Sequence, residues 1–319
     1  MSIAKKEDWP KIAVFGAGAV GCYFGGMLAR AGAPVTLIGR REHVEAIARG
    51  GLFIDSINFQ ESIAVGASTQ ADAVSGTELV LFCVKTVSNE ESARALAAHL
   101  SPGVAVLSLQ NGVDNVERIR AASKIDTLPT VVYVAAAMTA PGRVKHSARG
   151  DLVVGCLPGQ EKRLTELTRA AELFARAGVP CRVSENIEAD LWTKLIQNSA
   201  GNAVSTLGNS TFGRAAHHSL AREVMREVVS EGLAVAQAAG VRGLNSSLAD
   251  DSLKLAEKLA NSTSSTAQDI ARSRHTEIDS LNGYLVRRGH ELGVATPVNQ
   301  TLYALVKLLE ESSAQAVAV

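Results

Sequence analysis

The stretch Lys11-Ile12-Ala13-Val14-Phe15-Gly16-Ala17-Gly18-Ala19-Val20-Gly21 decides how the rest of the chain is read. Ile12 to Phe15 form an apolar run with the length of a buried strand. Gly16, Gly18 and Gly21 follow at G-x-G-x-x-G spacing, and Cys22 to Arg30 continue in helix-compatible residues. In a strand–turn–helix unit each glycine has its own physical task. Gly16 permits the tight turn, Gly18 lets the backbone approach a pyrophosphate, and Gly21 lets helix and strand pack closely. The phosphates are expected at the helix N-terminus, where free N–H groups and the macrodipole favour an anion. The whole turn (Gly16, Ala17, Gly18, Ala19, Val20 and Gly21) is therefore the expected cofactor-binding loop.

Around this stretch lies a chain of 319 residues, long enough for two domains with separate cores. Hydrophobic residues make up 46% and charged ones 20%, the balance of a soluble globular protein. Thirty-two basic residues offset 32 acidic ones, so nothing points to nucleic acid or an anionic membrane as a general partner. A local basic site for a small anion is compatible with that balance. The uncharged run between Lys11 and Arg30, preceded by Lys5 and Lys6, superficially resembles a secretory leader. Its glycines, the neighbouring acids and the lack of a persuasive cleavage site argue against one. The same strand, turn and helix signals argue against a membrane span, and a cytoplasmic location is expected. Cys22, Cys83, Cys156 and Cys181 are scattered without a C-x-x-C pair and fit reduced, buried thiols. The histidines form no metal-binding spacing, so no metal is expected.

Along the chain, Pro34–Ile38, Leu79–Val84, Val104–Leu109, Thr130–Ala137 and Pro180–Val183 read as strands. Gly51–Val65 reads as short extra strands or a hairpin, Arg143–Gly155 as a hairpin and Glu161–Ala177 as an amphipathic helix. Buried strands alternating with helices imply an α/β fold: a Rossmann-type, doubly wound, mostly parallel sheet. Past residue 185 the pattern changes. Ile187–Leu207, Ala215–Ala239, Leu248–Leu259, Ala267–Leu292 and Pro297–Glu310 all favour helix, with Thr296-Pro297 as a capped helix start. The expected division is a nucleotide-binding domain over 1–185 and an all-helical C-terminal domain over 186–319, with the active site in the cleft between them. The small-residue tail Ser312–Val319 is expected to fray.

The second strand ends in Arg40-Arg41, where NAD-binding units usually carry an acid for the ribose 2′-hydroxyl. A guanidinium there suits the 2′-phosphate of NADP, and Arg40, nearer the strand, is the stronger candidate. Lys85 and Asn111 follow two other buried strands, on the edge that carries the glycine loop. In helix Ile187–Leu207, Lys194, Asn198 and Asn202 stand at i, i+4, i+8 and make one polar stripe among apolar residues. Asn competes for backbone hydrogen bonds in mid-helix, so two of them in register with a Lys ask for an explanation. A later helix offers Ser264, Ser265, Asp269, His275, Glu277 and Asp279, from which pattern alone selects no catalytic acid.

Over almost its full length the chain resembles the ketopantoate reductase (2-dehydropantoate 2-reductase) family. The resemblance is carried by the glycine loop, Cys83-Val84-Lys85-Thr86, Gln110-Asn111-Gly112 and Pro141-Gly142-Arg143-Val144-Lys145-His146. It continues through Leu191-Trp192-Thr193-Lys194-Leu195-Ile196-Gln197-Asn198, Gln268-Asp269-Ile270, His275 to Gly283 and Thr296-Pro297-Val298-Asn299. It implies reduction of 2-dehydropantoate to (R)-pantoate by NADPH, on the way to pantothenate and coenzyme A. By position, Lys194 matches the catalytic lysine that protonates the carbonyl oxygen, and Glu277 the acid that holds the substrate. Asn111, Asn198, Asn202 and Ser265 match substrate contacts, while Arg40, Lys85 and Asn111 match cofactor contacts. Two alternatives stand beside this reading: a reductase of the same fold acting on another small 2-oxo acid, and a nucleotide-binding sensor without turnover. Intact Lys194 and Glu277 disfavour the sensor. The Ala- and Leu-rich helical domain is compatible with a homodimer.

Overall fold

The computed structural model describes residues 9–315. Its contacts fall into two compact units. The first comprises the chain up to Gln110 together with Asp114–Ile187; the second comprises Asn111–Val113 and everything from Glu188 onward.

In the first unit the elements run β1 (Ile12–Phe15), α1 (Ala19–Arg30), β2 (Val35–Ile38), α2 (Arg41–Gly50), β3 (Leu52–Ser56), β4 (Gln60–Ile63), β5 (Gly66–Ser68), β6 (Leu79–Phe82), α3 (Asn89–Ala97), β7 (Ala105–Ser108), α4 (Asn115–Ser123), β8 (Leu128–Ala140), β9 (Arg143–Val154), α5 (Leu164–Arg176) and β10 (Cys181–Val183). The strand order is β4-β3-β9-β8-β7-β6-β1-β2-β5, with β10 paired to β9. From β5 through β2, β1, β6 and β7 to β8 all pairings are parallel. The chain moves outward from β1 to β2 and β5, then returns to the other side of β1 to lay down β6. That reversal makes the β1/β6 edge a topological switch point, and ligands of open α/β sheets bind beyond the carboxyl ends of such strands.

The central strands are apolar throughout because both faces are covered. Ile12 and Val14 point into a core with Phe24 of α1 and Phe174 of α5, whose rings meet edge to face at 6.3 Å. Ala13 and Phe15 point the other way, toward Leu96 of α3 and Ile119 of α4. Each fully buried side chain of this size contributes about 1.5–3 kcal/mol.

The stretch Arg143–Gly155, expected as a hairpin of its own, is instead one strand paired antiparallel with β8. The real turn is Pro141-Gly142, with Gly142 at φ +68°. The Arg149-Gly150 pair within this strand has φ of +59° and +124°. It is absorbed as a bulge, where the register slips between Tyr133 and Val134.

The second unit is helical: α6 (Ile187–Leu207), α7 (Phe212–His217), α8 (Ser219–Ala238), α9 (Leu248–Lys258), α10 (Ser265–Ile270), α11 (Asn282–Leu292) and α12 (Pro297–Gln315). Leu195, Ile196, Val228, Val229, Leu285 and Val306 are central to its core. Two expected helices are each broken. Ala215–Ala239 splits at His218, whose extended backbone (φ −81°, ψ 120°) ends α7 and whose Nδ1 caps α8 by accepting from the Ala221 N–H at 3.4 Å. Ala267–Leu292 splits between α10 and α11. Ser273 there adopts φ +48°, and Thr276 takes the Ile278 N–H on its own hydroxyl at 3.1 Å, offering the backbone an alternative to the helix. The last helix continues past Glu310 to Gln315, so Ser312, expected in a frayed tail, lies within it; residues 316–319 lie outside the described residues. No helix among the described residues is long and apolar enough to cross a membrane.

Candidate functional site

The three glycines of the loop have different local reasons. At Gly16, φ is +112° and a Cβ would stand 2.7 Å from the backbone of Cys83 and Val84, so this residue seats the loop against the end of β6. At Gly21 a Cβ would lie 2.3 Å from the Gly16 carbonyl and 2.8 Å from Val14, which sets how closely α1 rests on β1. At Gly18 a Cβ would meet nothing within 4 Å, and the φ of −87° suits any residue. Neither conformation nor packing requires glycine there, which leaves close approach by a molecule from outside as its physical rationale. Gly39 at the end of β2 has a related task, since a Cβ would lie 2.6 Å from that of Ala17.

The amides narrow the donors. Gly16 and Ala17 both give their N–H to Ile38 O, at 3.0 and 2.9 Å, and Gly18 gives its own to Gly16 O at 2.8 Å. The loop thus spends these groups on its own shape. Ala19 and Val20, which open α1, hold N–H groups that helix geometry leaves without an intrahelical acceptor. No side chain caps this helix and no acid stands in its first turn, so its positive end suits a phosphate.

Arg40 is the N-cap residue of α2, at the carboxyl end of β2. Its side chain is exposed and lies 3.5 Å from Glu42 and 3.4 Å from Nε2 of the buried His43. The Gly142 N–H donates to His43 Nδ1 at 3.4 Å, so the Pro141-Gly142 turn buttresses the first turn of α2.

Lys85 follows β6 and is exposed at the start of a short 3-10 turn, Thr86–Ser88. A buried amide network fixes the chain on which it stands. Gln110 Nε2 donates to Val84 O at 2.8 Å and to Asn89 Oδ1 at 2.6 Å. Ser108 donates to Gln110 Oε1 at 2.8 Å, and Asn89 to Asn115 Oδ1 at 2.9 Å. Arg118 donates to Thr86 O at 2.9 Å and to Glu90 at 2.8 Å, and its guanidinium holds the Glu90 carboxyl below the usual range. Sequence reasoning quoted Gln110 without a role and passed over Asn89, Asn115 and Arg118.

In the second unit, Lys194, Asn198 and Asn202 lie along α6 one turn apart. Lys194 and Asn198 are half-buried and Asn202 is buried, flanked by fully buried Leu195, Ile196, Ala200 and Ala203. The start of α10 is tied to this helix. Ser264 caps α10 through the Ala267 N–H at 3.1 Å and meets the Thr206 hydroxyl at 2.9 Å, and Asn202 reaches Ser265 at 3.5 Å. Glu277 stands on no helix face. It occupies the turn before the 3-10 segment Ile278–Ser280, where its carboxylate accepts from Asn111 Nδ2 at 2.8 Å. Asn111, Asn202, Ser265 and Glu277 thus pair as two contacts within one unit.

A second amide network, invisible in the sequence, supports α6. The Glu231 carboxylate of α8 accepts the Val298 and Asn299 N–H groups at 2.8 and 2.9 Å, capping α12 where its dipole favours a negative charge. Asn299 also donates to Glu231 at 2.7 Å and accepts from Asn282, which in turn donates to Ser199 O on α6 at 3.2 Å. This accounts for Thr296-Pro297-Val298-Asn299 as a structural motif.

The chain matches two family models: "Ketopantoate reductase PanE/ApbA" over residues 12–159 and "Ketopantoate reductase PanE/ApbA C terminal" over residues 186–310. It is 33% identical over 302 residues to a 2-dehydropantoate 2-reductase of Pyrococcus abyssi, spanning 93% of this chain and 97% of the relative. Among solved structures, a PanE/ApbA family ketopantoate reductase from Ralstonia eutropha JMP134 superposes with a TM-score of 0.87 at 44% identity, covering 95% of this chain and 99% of that one. A D-mandelate dehydrogenase solved with NADH and anilino(oxo)acetate superposes at 0.86 with 25% identity, over 95% and 99% of the two chains.

Proposed function

The chain belongs to the ketopantoate reductase PanE/ApbA family, and on that premise we propose that it reduces 2-dehydropantoate to (R)-pantoate with NADPH in the cytoplasm. The observation that carries this reading is the match of both family models, over residues 12–159 and 186–310, on a chain that carries Lys194 on α6 and Glu277 beside Asn111.

NADPH, when bound, supplies the hydride. The residues present fit it: Gly18 leaves room for a pyrophosphate, Ala19 and Val20 open a helix suited to an anion, and Arg40 and Lys85 provide cations at the ends of β2 and β6. The remaining steps belong to this chain's side chains. Asn111, Asn198, Asn202 and Ser265 bind the polar groups of the oxo acid. Glu277, one oxygen fixed by Asn111, accepts the substrate hydroxyl and sets the orientation of the carbonyl. As the carbonyl carbon is reduced, charge grows on its oxygen, where the Lys194 ammonium stabilises it and gives up one proton, leaving the alcohol.

NADPH oxidation measured against a panel of 2-oxo acids tests this. Highest kcat/KM with 2-dehydropantoate is expected, and no turnover of it would remove the assignment. A second reading has two observations in its favour. The D-mandelate dehydrogenase neighbour was solved with NADH, and here Glu42 lies 3.5 Å from Arg40, where it competes with a 2′-phosphate. On that reading the substrate is another small 2-oxo acid and NADH serves as well as NADPH. We also propose a homodimer covering the exposed Leu305 and Leu308 of α12, for which light scattering at micromolar concentration is the test.

A further inference from the structure

Glu277 has no helix to hold it, yet a carboxylate that orients a substrate needs a fixed main chain. The chain on both sides of it is gripped by one face of α12. On the N-terminal side, the Thr276 N–H donates to Glu310 Oε1 at 2.7 Å. On the C-terminal side, the Tyr303 hydroxyl and the Lys307 ammonium both reach the Asp279 carboxylate, at 2.5 and 3.0 Å. Lys307 joins the two grips, because it also meets Glu310 at 2.8 Å. Tyr303, Lys307 and Glu310 stand at i, i+4 and i+7 and so project from one side of the helix. Arg287 of α11 adds a bond to the Asp279 carbonyl at 2.8 Å.

We propose that Tyr303, Lys307 and Glu310, acting on Thr276 and Asp279, are positioning residues that fix the Glu277 carboxylate for the oxo acid. The proposal rests on Glu277 being the group that holds the substrate. None of the three α12 residues is assigned a contact with substrate or cofactor. Their effect runs through two anchors, the Thr276 N–H one residue before Glu277 and the Asp279 carboxylate two residues after it.

The interactions are unequal. Glu310 is buried, so its ion pair with Lys307 is shielded from water, and removing the ammonium leaves a buried carboxylate without its cation. Asp279 and Lys307 are more open, and their pair is more easily screened. Lys307→Met therefore loosens both grips, whereas Tyr303→Phe removes one hydroxyl and loosens only the second.

The test is steady-state kinetics on the full-length enzyme beside amide exchange across Thr276–Ser280. Lys307→Met should raise KM for the oxo acid about tenfold while kcat and the NADPH dissociation constant change less than about threefold. Lys307→Arg, which can span the same two carboxylates, should restore most of the loss. Tyr303→Phe should raise KM about two- to threefold and serves where Lys307→Met fails to fold. In the same variants, free of substrate, exchange at Thr276–Ser280 should quicken about tenfold relative to α8. A purely structural role would lower the melting temperature and leave KM unchanged well below the melt; that result overturns the proposal. Unchanged exchange in the segment also overturns it. Should the wild-type enzyme turn over no oxo acid, the proposed function fails while quickened exchange still supports the grip on Glu277.

Discussion

Asn111 donates its side-chain N–H to the Glu277 carboxylate at 2.8 Å across 166 positions of sequence. The bond joins a residue in the loop after β7 to the turn gripped by α12, and it gives both residues one task. If they act as a unit, their losses are not additive. Glu277→Ala should raise KM for the oxo acid by about 10²-fold, and Asn111→Ala by about tenfold. The double variant should be little worse than Glu277→Ala alone. Fully additive losses would show that the pair does not act together.

Lys194 is expected to fail in a different parameter. The charge it stabilises exists mainly in the transition state, so Lys194→Ala should lower kcat by about 10²–10⁴ with a smaller change in KM. NADPH binding, read by fluorescence, should survive. A variant with near-normal turnover would remove Lys194 as proton donor.

The cofactor preference is expected to reside chiefly in Arg40. Charge-assisted bonds to a phosphate contribute roughly 1.5–3 kcal/mol, about ten- to a hundredfold in affinity. Arg40→Asp should weaken NADPH binding by that factor and spare NADH. Because Glu42 sits 3.5 Å from the guanidinium, Glu42→Gln should shift preference further toward NADPH. Equal losses for both cofactors in Arg40→Asp would make Arg40 a residue of the fold.

Gly16 and Gly18 are two positions apart in one motif and should respond oppositely to alanine. Gly16→Ala places a Cβ 2.7 Å from the backbone of Cys83 and Val84 at a φ of +112°, so the melting temperature should fall. Gly18→Ala meets nothing within 4 Å and should leave the melt unchanged while weakening NADPH binding, as the methyl group occupies the approach. A stable Gly18→Ala protein with unaltered NADPH affinity would dissociate the loop from the pyrophosphate.

How much of this was legible in the sequence follows from the range of the interactions. The strand Ile12–Phe15, the glycine spacing and the exact span of Ile187–Leu207 are local, and periodicity alone reports them. The strand Arg143–Val154 was expected as a hairpin, and only its pairing with β8 shows that the chain runs on through a bulge at Arg149-Gly150. The break between α10 and α11 was missed for a related reason. Residues 271–277 give up the helix for tertiary partners, and the Thr276 N–H goes to Glu310, which lies 34 positions away. Glu231, Gln110 and Lys307 carried no local signal, since their partners are backbone groups or side chains of other elements.

The α12 grip also dictates a pH response. Burial alone would raise the Asp279 and Glu310 carboxyls. Hydrogen bonds from Tyr303 and Lys307 to Asp279, and from Lys307 and the Thr276 N–H to Glu310, outweigh it and leave both below the ordinary range. Burial alone would lower Lys307, but Glu310 and Asp279 hold it above the usual lysine range. Depressed carboxyls contribute stability above their unfolded values, about 3.9 for Asp and 4.3 for Glu, and that contribution is lost as pH falls through the folded values. A raised lysine contributes below its unfolded value, about 10.4, and loses that contribution as pH rises through the folded one. The stabilisation is therefore complete between roughly pH 5 and 10. Thermal melts of wild type and Lys307→Met should differ by a constant amount across that window and converge below about pH 4, as the carboxyls take up protons. The exposed Asp279 arm should weaken in 1 M salt, where screening acts over about 3 Å, while the buried Glu310 arm should persist. A difference between the two proteins that widens toward low pH would contradict the ion pairs.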